Sequence, residues 1–106
     1  MKIQINTNSS VKGDQRLEEI AQGIVKDTLE RFRNDVTRVE VHLRDVNRQK
    51  GGSDDKQCTM EARIQGRKPT AVTHNAGNVE DALQGAAGKL ERALDSELGK
   101  LKDHRR

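Results

Sequence analysis

Residues 38–44 read Arg-Val-Glu-Val-His-Leu-Arg. In an extended chain successive side chains point to opposite faces, so Val39, Val41 and Leu43 fall together on one side and Arg38, Glu40, His42 and Arg44 on the other. Such alternation marks a strand with one face on a core and the other in water. A strand of this kind needs neighbouring strands to pair its backbone and an apolar layer to cover its inner face. Both are written into the sequence on either side of it.

Upstream, Lys2 to Thr7 alternates with Ile3 and Ile5 on one face, a short strand. Ser9 to Gly13 reads as a turn and Asp14 as a helix N-cap. Leu17, Ile20, Ala21, Ile24, Val25, Leu29 and Phe32, with Thr28 alongside, recur at spacings of three and four. They predict an amphipathic helix of about five turns, ended by Asn34-Asp35. Downstream, the polar loop from Asn47 to Lys56 carries Gly51-Gly52 and hairpin chemistry. Cys58, Met60, Ala62 and Ile64 then share one face of a third strand. Gly66-Arg67-Lys68 makes a tight turn, and Pro69 opens a fourth strand continued by Thr70 to Asn75. Asn78 caps a long closing helix whose inner stripe is Val79, Ala82, Leu83, Ala86, Ala87, Leu90, Ala93, Leu94, Leu98 and Leu101.

The resulting order, β-α-β-β-β-α, predicts an α+β fold. It is a two-layer sandwich of one mostly antiparallel four-stranded sheet with two helices on one face. If the strand of Ile3 pairs with that of Val41, the two run parallel. The expected domain is residues 1–102, followed by a frayed basic tail, 103–106.

Composition narrows the function. At 106 residues the chain is one small domain, and Phe32 is its sole aromatic residue, so the core must come from Leu, Ile, Val and Ala. A deep apolar pocket for a small-molecule substrate is not expected, nor are the aromatic platforms on which unstacked bases sit. A single cysteine, Cys58, allows no internal disulfide and no zinc framework. No apolar run is long enough to span a membrane or to serve as a secretory signal, which points to the cytoplasm. The sequence shows no nucleophile elbow and no phosphate-loop spacing. Gly85-Ala86-Ala87-Gly88-Lys89 lacks the closing Ser or Thr and lies within a helical pattern. His42 and His74 are both expected on the outward parity of their strands, with Cys58 on the inner one, so no metal site is expected. The reading is of a binding protein without catalytic, cofactor or metal residues.

The formal charge of +3 lies wholly in residues 99–106, where Lys100, Lys102, Arg105 and Arg106 stand against Asp103. The preceding chain is balanced, so placement matters more than total. Lys89 and Arg92 lie one turn apart on the closing helix, with Lys100 close to the same stripe. Gly85, Ser96 and Gly99 lie on or beside it. Glycines inside a helix cost about 1 kcal/mol each relative to alanine. They either mark a weak helix or let a bulky polyanion approach closely. A second basic group, Arg63, Arg67 and Lys68, surrounds the turn after the third strand and could serve solubility alone.

The element order, together with Asn78-Val79-Glu80-Asp81-Ala82-Leu83 and Lys89-Leu90-Glu91-Arg92-Ala93-Leu94, resembles the ribosome hibernation promoting factor family, also called the ribosome-associated inhibitor or sigma-54 modulation family. The resemblance covers about residues 2 to 102 and is most specific in the Lys-Leu-x-Arg-x-Leu segment. It implies a translation inhibitor that binds 16S rRNA of the 30S subunit, in 30S or 70S ribosomes, near the decoding region and silences them in resting or stressed cells. On this likeness Lys89 and Arg92 match the family's basic pair in the second helix, and Lys100 and Lys102 its basic end. Lys26 and Arg31 are the candidates on the first helix. Asn78-Val79-Glu80 replaces the family's Asp-Met-Tyr, so any contact through that aromatic is lost. The Gly51-Gly52 loop is longer than in short members, and the C-terminal dimerisation domain of long members and the acidic tail of some short ones are not expected.

Lysine and arginine contacts to phosphate position a protein without reading bases and weaken steeply with salt. Two other readings stay open: a protein-interaction module acting on a transcription regulator of the sigma-54 type, and, by fold analogy, a general double-stranded RNA binder.

Overall fold

A computed structural model describes residues 1–7, 14–46 and 55–104, with side chains as far as residue 99. The elements run β1 (Lys2–Thr7), α1 (Gln15–Thr28), a 3-10 turn (Glu30–Phe32), β2 (Val36–Asp45), β3 (Lys56–Ile64), β4 (Thr70–Ala76) and α2 (Val79–His104). The four strands form one sheet in the order β1-β2-β3-β4. β1 lies parallel to β2, with Ile3 opposite Val39 and Ile5 opposite Val41. The other two pairs are antiparallel, placing Met60 between Val41 and Val72. The α+β two-layer architecture expected from the sequence is the one observed.

The alternation in β2 does what it predicts. Val39, Val41 and Leu43 are buried, while His42 and Arg44 are exposed. Cys58, Met60, Ala62 and Ile64 of β3 continue the inner face. Leu29, Met60, Leu83, Leu90 and Leu94 are the largest side chains fully out of water, each contributing about 1.5–3 kcal/mol of burial free energy. Among the described residues no polar or charged side chain is buried with them. Burial pushes the Cys58 thiol up to about 12, because a thiolate there would lose its solvation with nothing to replace it.

Asp14 caps α1, its Oδ1 accepting from the Leu17 backbone N–H at 2.8 Å. The helix stops at Thr28, short of the five turns expected through Phe32. The backbone leaves helical geometry at Leu29 (φ −104°, ψ 16°) and tightens into the 3-10 turn, where the Phe32 N–H donates to the Leu29 carbonyl at 2.9 Å. A 3-10 turn brings residues i and i+3 onto one side, so Leu29 and Phe32 both still reach the core. The spacing of three is common to both helix types, which is why the apolar pattern ran on through the change. Asn78 caps α2 reciprocally: its Oδ1 accepts from the Asp81 N–H at 2.8 Å and its Nδ2 donates to Asp81 Oδ2 at 3.1 Å.

One strand parity differs from expectation. His74 faces inward, opposite Cys58 across the β3–β4 pairing and alternating with exposed Thr73 and Asn75. Thr70, Val72, His74 and Ala76 form the inner set of β4, a half-polar row of which only Ala76 is buried. With only Val72 and Ala76 apolar, its period could not be read reliably. The turn at Gly66 adopts φ +76°, a left-handed conformation that glycine enters at no steric cost. The expected turn at Ser9–Gly13 and most of the Asn47–Lys56 loop, including Gly51-Gly52, lie outside the described residues. So do Arg105 and Arg106 and the side chains of Lys100 to His104, on which the expected fraying falls.

Candidate nucleic-acid interface

Both helices lie on the inner face of the sheet. α1 packs on β1 and on α2, and α2 packs on β3 and β4. Their outer surfaces form a layer across which the candidate cations are spread rather than clustered. Lys26, in the last turn of α1, borders a hollow of about 270 Å³ with Met1, Ile3, Gln22, Glu30 and Arg33, beside the β1 edge. Lys89 sits at the opposite side of the domain, where its Nζ donates to the Thr73 carbonyl of edge strand β4 at 2.9 Å. Lys26 and Lys89 therefore flank the helix layer and do not meet.

Arg31 and Arg92 lie between them. Arg31 is held by α2: its Nη1 is 3.0 Å from Asp95 Oδ1 and its Nε 3.8 Å from Glu91 Oε2. The guanidinium also stands 4.4 Å from the centroid of the Phe32 ring, a cation–π distance. These contacts make Arg31 a clip between the 3-10 turn and α2. Arg92 is exposed and lies over Gly88, where an added Cβ would be 3.6 Å from its Nη1. Gly88, Gln84, Ile24, Asp27 and Thr28 line a groove of about 330 Å³ between the two helices. Among the described residues Lys26 and Arg92 have no hydrogen bond or ion pair. The side chains of Lys100 and Lys102 lie outside the described set.

Gly85 does not open the α2 surface to a ligand. A Cβ there would fall 2.1 Å from His74 Cδ2 and 2.2 Å from its Nε2, so the imidazole already fills that space. The stripe of small residues beside Lys89 and Arg92 is thus partly a seat for His74. Cys58 and His74 share the inner face whereas His42 is on the outer one, so the three cannot converge on one ion. Among the described residues no cluster of three or more His, Cys, Asp or Glu could hold a metal.

The second basic group does not act as one patch. Arg67 reaches Glu97 of α2 at 3.7 Å, and Lys68 is exposed without a partner among the described residues. Arg63 belongs to the open face of the sheet, with Glu61 at 3.7 Å and Glu40 at 3.9 Å. On the same face Arg38 Nε lies 3.3 Å and His42 Nε2 3.5 Å from Glu40, and Arg38 also bonds Gln4. At the end of β2, Arg44 Nε donates to Gln57 Oε1 at 2.8 Å. Lys2, Arg38 and Arg44 are not marked as binding residues by the sequence, although the alternation that identifies β2 places Arg38 and Arg44 on its polar parity, at either end of the strand.

A sheet of one parallel and two antiparallel pairings, backed on one face by two helices, defines an α+β sandwich on which Met1 is the one exposed large hydrophobic side chain among the described residues. The chain matches the model of the sigma 54 modulation protein / S30EA ribosomal protein family over residues 3–102, and it belongs to that family. Its fold is similar to that of a ribosomal subunit interface protein from Coxiella burnetii, with a TM-score of 0.71 at 15% identity, covering 93% of this chain and 99% of that one. It is also similar to the N-terminal domain of Protein Y from Thermus thermophilus, with a TM-score of 0.72 at 12% identity, covering 91% and 98%. No curated protein sequence matches it.

Proposed function

We propose that this protein is a ribosome-associated hibernation factor that binds the 30S subunit through 16S rRNA near the decoding region and silences translation in resting or stressed cells. The observation that carries this reading is the family match across residues 3–102, joined to helix-layer cations at the positions the resemblance marks. Of these, Lys26 and Arg92 have no carboxylate partner among the described residues. Lys89 donates only to a neutral carbonyl, so its charge stays available to a phosphate. Arg31 contributes by fixing α2 against the 3-10 turn, with its charge largely met by Glu91 and Asp95. Lys100 and Lys102 extend the same helix toward its basic end.

No helix among the described residues is long and apolar enough to cross a membrane, and a ribosome-bound factor works in the cytoplasm. It acts by occupancy, as a binding factor and not an enzyme. Its contacts are to phosphate and shape, since Phe32, its one residue of the Phe, Tyr and Trp class, is buried.

The test replaces Lys89 and Arg92 together by Glu. Affinity for vacant ribosomes should fall by at least about tenfold, and the salt dependence of binding should become shallower, with the melting transition retained. Unchanged affinity overturns the site. Binding that survives ribosome removal and is insensitive to salt would favour a protein partner such as a transcription regulator.

A further inference from the structure

The two surfaces of the sandwich carry opposite charge. On the helix layer, residues 14–33 and 79–99 set six Lys and Arg against ten Asp and Glu, all exposed except half-buried Glu91. On the open face of the sheet, Lys2, Arg38, Arg44 and Arg63 stand against Glu40 and Glu61 alone. Among the described residues nothing covers that face, because both helices pack on the other side. A polyanion meeting only the helix layer would meet a surplus of carboxylates around its cations.

We propose that the open face of the sheet is a second RNA-contacting surface, centred on a hollow at His42 and Arg44 that takes a phosphate of the RNA backbone. This rests on the ribosome-binding reading and adds a surface which that reading does not use. The hollow has a volume of about 430 Å³, and its polar lining among the described residues is Asn6, Thr7, His42, Arg44, Gln57 and Thr59, with no carboxylate among them. Arg44 is steadied through Nε by the Gln57 carbonyl oxygen at 2.8 Å. Among the described residues its two terminal nitrogens have no partner, which suits the bidentate contact that guanidinium makes with phosphate. Asn6, Gln57 and Thr59 add neutral donors of the kind that hold phosphate and ribose oxygens. Asp45, next to Arg44, is on the opposite parity of β2 and lies 3.1 Å from Lys56 Nζ. Glu40, the nearest acid on the outward parity of β2, is only 19% exposed in its side chain and is met by Arg38, Arg63 and His42 at 3.3, 3.9 and 3.5 Å. Its charge is therefore already offset.

The same face argues against a protein occupant. Stable protein interfaces are built on buried aromatic or aliphatic anchors. The outward positions of the four strands include one apolar side chain, Ala71. A flat surface of arginines, amides and hydroxyls suits a sugar-phosphate backbone.

The experiment compares Arg44→Glu with Lys68→Glu, an identical charge change at the β3–β4 turn, in the full chain with vacant 30S subunits at low salt. Arg44→Glu should weaken binding about tenfold and reduce the salt slope by about one or two ions, while Lys68→Glu stays within about threefold. Equal losses, or none from Arg44→Glu, overturn the proposal. If wild-type protein fails to bind subunits, it is the ribosome reading that fails. The sheet face is then judged by titrating isotope-labelled protein with an oligouridylate of about twelve nucleotides. Amide shifts at Asn6, His42, Arg44, Gln57 and Thr59 support it. Shifts confined to the helices, or the same shifts produced by polyglutamate but not by oligouridylate, overturn it.

Discussion

The imidazole of His74 occupies the space in front of Gly85, so close that a Cβ at position 85 would lie 2.6 Å from His74 Cγ and nearer still to Nε2 and Cδ2. An edge-strand side chain and a helix glycine are thus one packing unit, and they join β4 to α2. In an ordinary exposed helix, replacing glycine by alanine gains about 1 kcal/mol. Here the ring must move, and overpacking of this kind costs about 1–3 kcal/mol.

The first prediction is accordingly a reversal of sign between two glycines. Gly85→Ala should lower unfolding stability by about 1 kcal/mol or more. Gly23→Ala, where nothing lies within 4 Å of the added Cβ, should raise it by about 0.5–1 kcal/mol. Adding His74→Ala to Gly85→Ala should recover part of the loss. Denaturant melts of the wild type, the two glycine variants, His74→Ala and the double variant measure this directly, and additive effects of His74→Ala and Gly85→Ala would contradict the contact.

Arg31 provides a second prediction, because its two ion pairs are exposed on both sides. Side-chain exposures of 55% for Arg31 and 60% for Asp95 place the bridge among surface pairs worth about 0–1 kcal/mol. The Phe32 contact adds about 0.5–1 kcal/mol. Arg31→Ala should therefore cost about 1 kcal/mol of stability and reduce ribosome affinity far less than Lys89→Glu with Arg92→Glu. An Arg31→Ala protein that melts normally but no longer binds ribosomes would make Arg31 a direct contact.

Cys58 supplies the pH dependence. Its folded thiol titrates near 12, whereas its ordinary value is 9.0. Between those values the unfolded chain loses a proton that the folded one keeps, so unfolding becomes easier as pH rises from about 9 to about 12. Below pH 9 both states are protonated and the group contributes no slope. Cys58→Ala should remove this part of the alkaline destabilisation while costing some core packing. At pH 8 a thiol reagent should modify the native protein only as fast as it unfolds. Rapid labelling of folded protein would contradict the burial.

The architecture was legible because its strongest signals are periodic. Val39, Val41 and Leu43 alternate without exception, and the stripe from Ala82 to Leu98 holds helical spacing, so one sheet face and one helix face followed at once. Where the period is ambiguous, the sequence does not decide the structure. Leu29 and Phe32, three apart, suit an α-helix and a 3-10 turn equally, and α1 ended early. His74 sits on an inner parity that only Val72 and Ala76 mark as apolar, and it was expected outside. The candidate site was legible only as residue types. Sequence shows that Arg31, Lys89 and Arg92 are basic, but not that Asp95 lies 3.0 Å from the first or that the second reaches the Thr73 carbonyl. Such partners come from distant segments, and only packing brings them together. The charge of the open sheet face was hidden for the same reason, since Lys2, Arg38, Arg44 and Arg63 come from three strands.

The most direct measurement is cosedimentation of the purified wild-type protein with vacant ribosomes through sucrose at low and at high salt. The protein should travel with the 30S and 70S particles at low salt and be released as salt rises, as expected where Lys and Arg contacts to phosphate dominate the association. Protein remaining at the top of the gradient at low salt would contradict it.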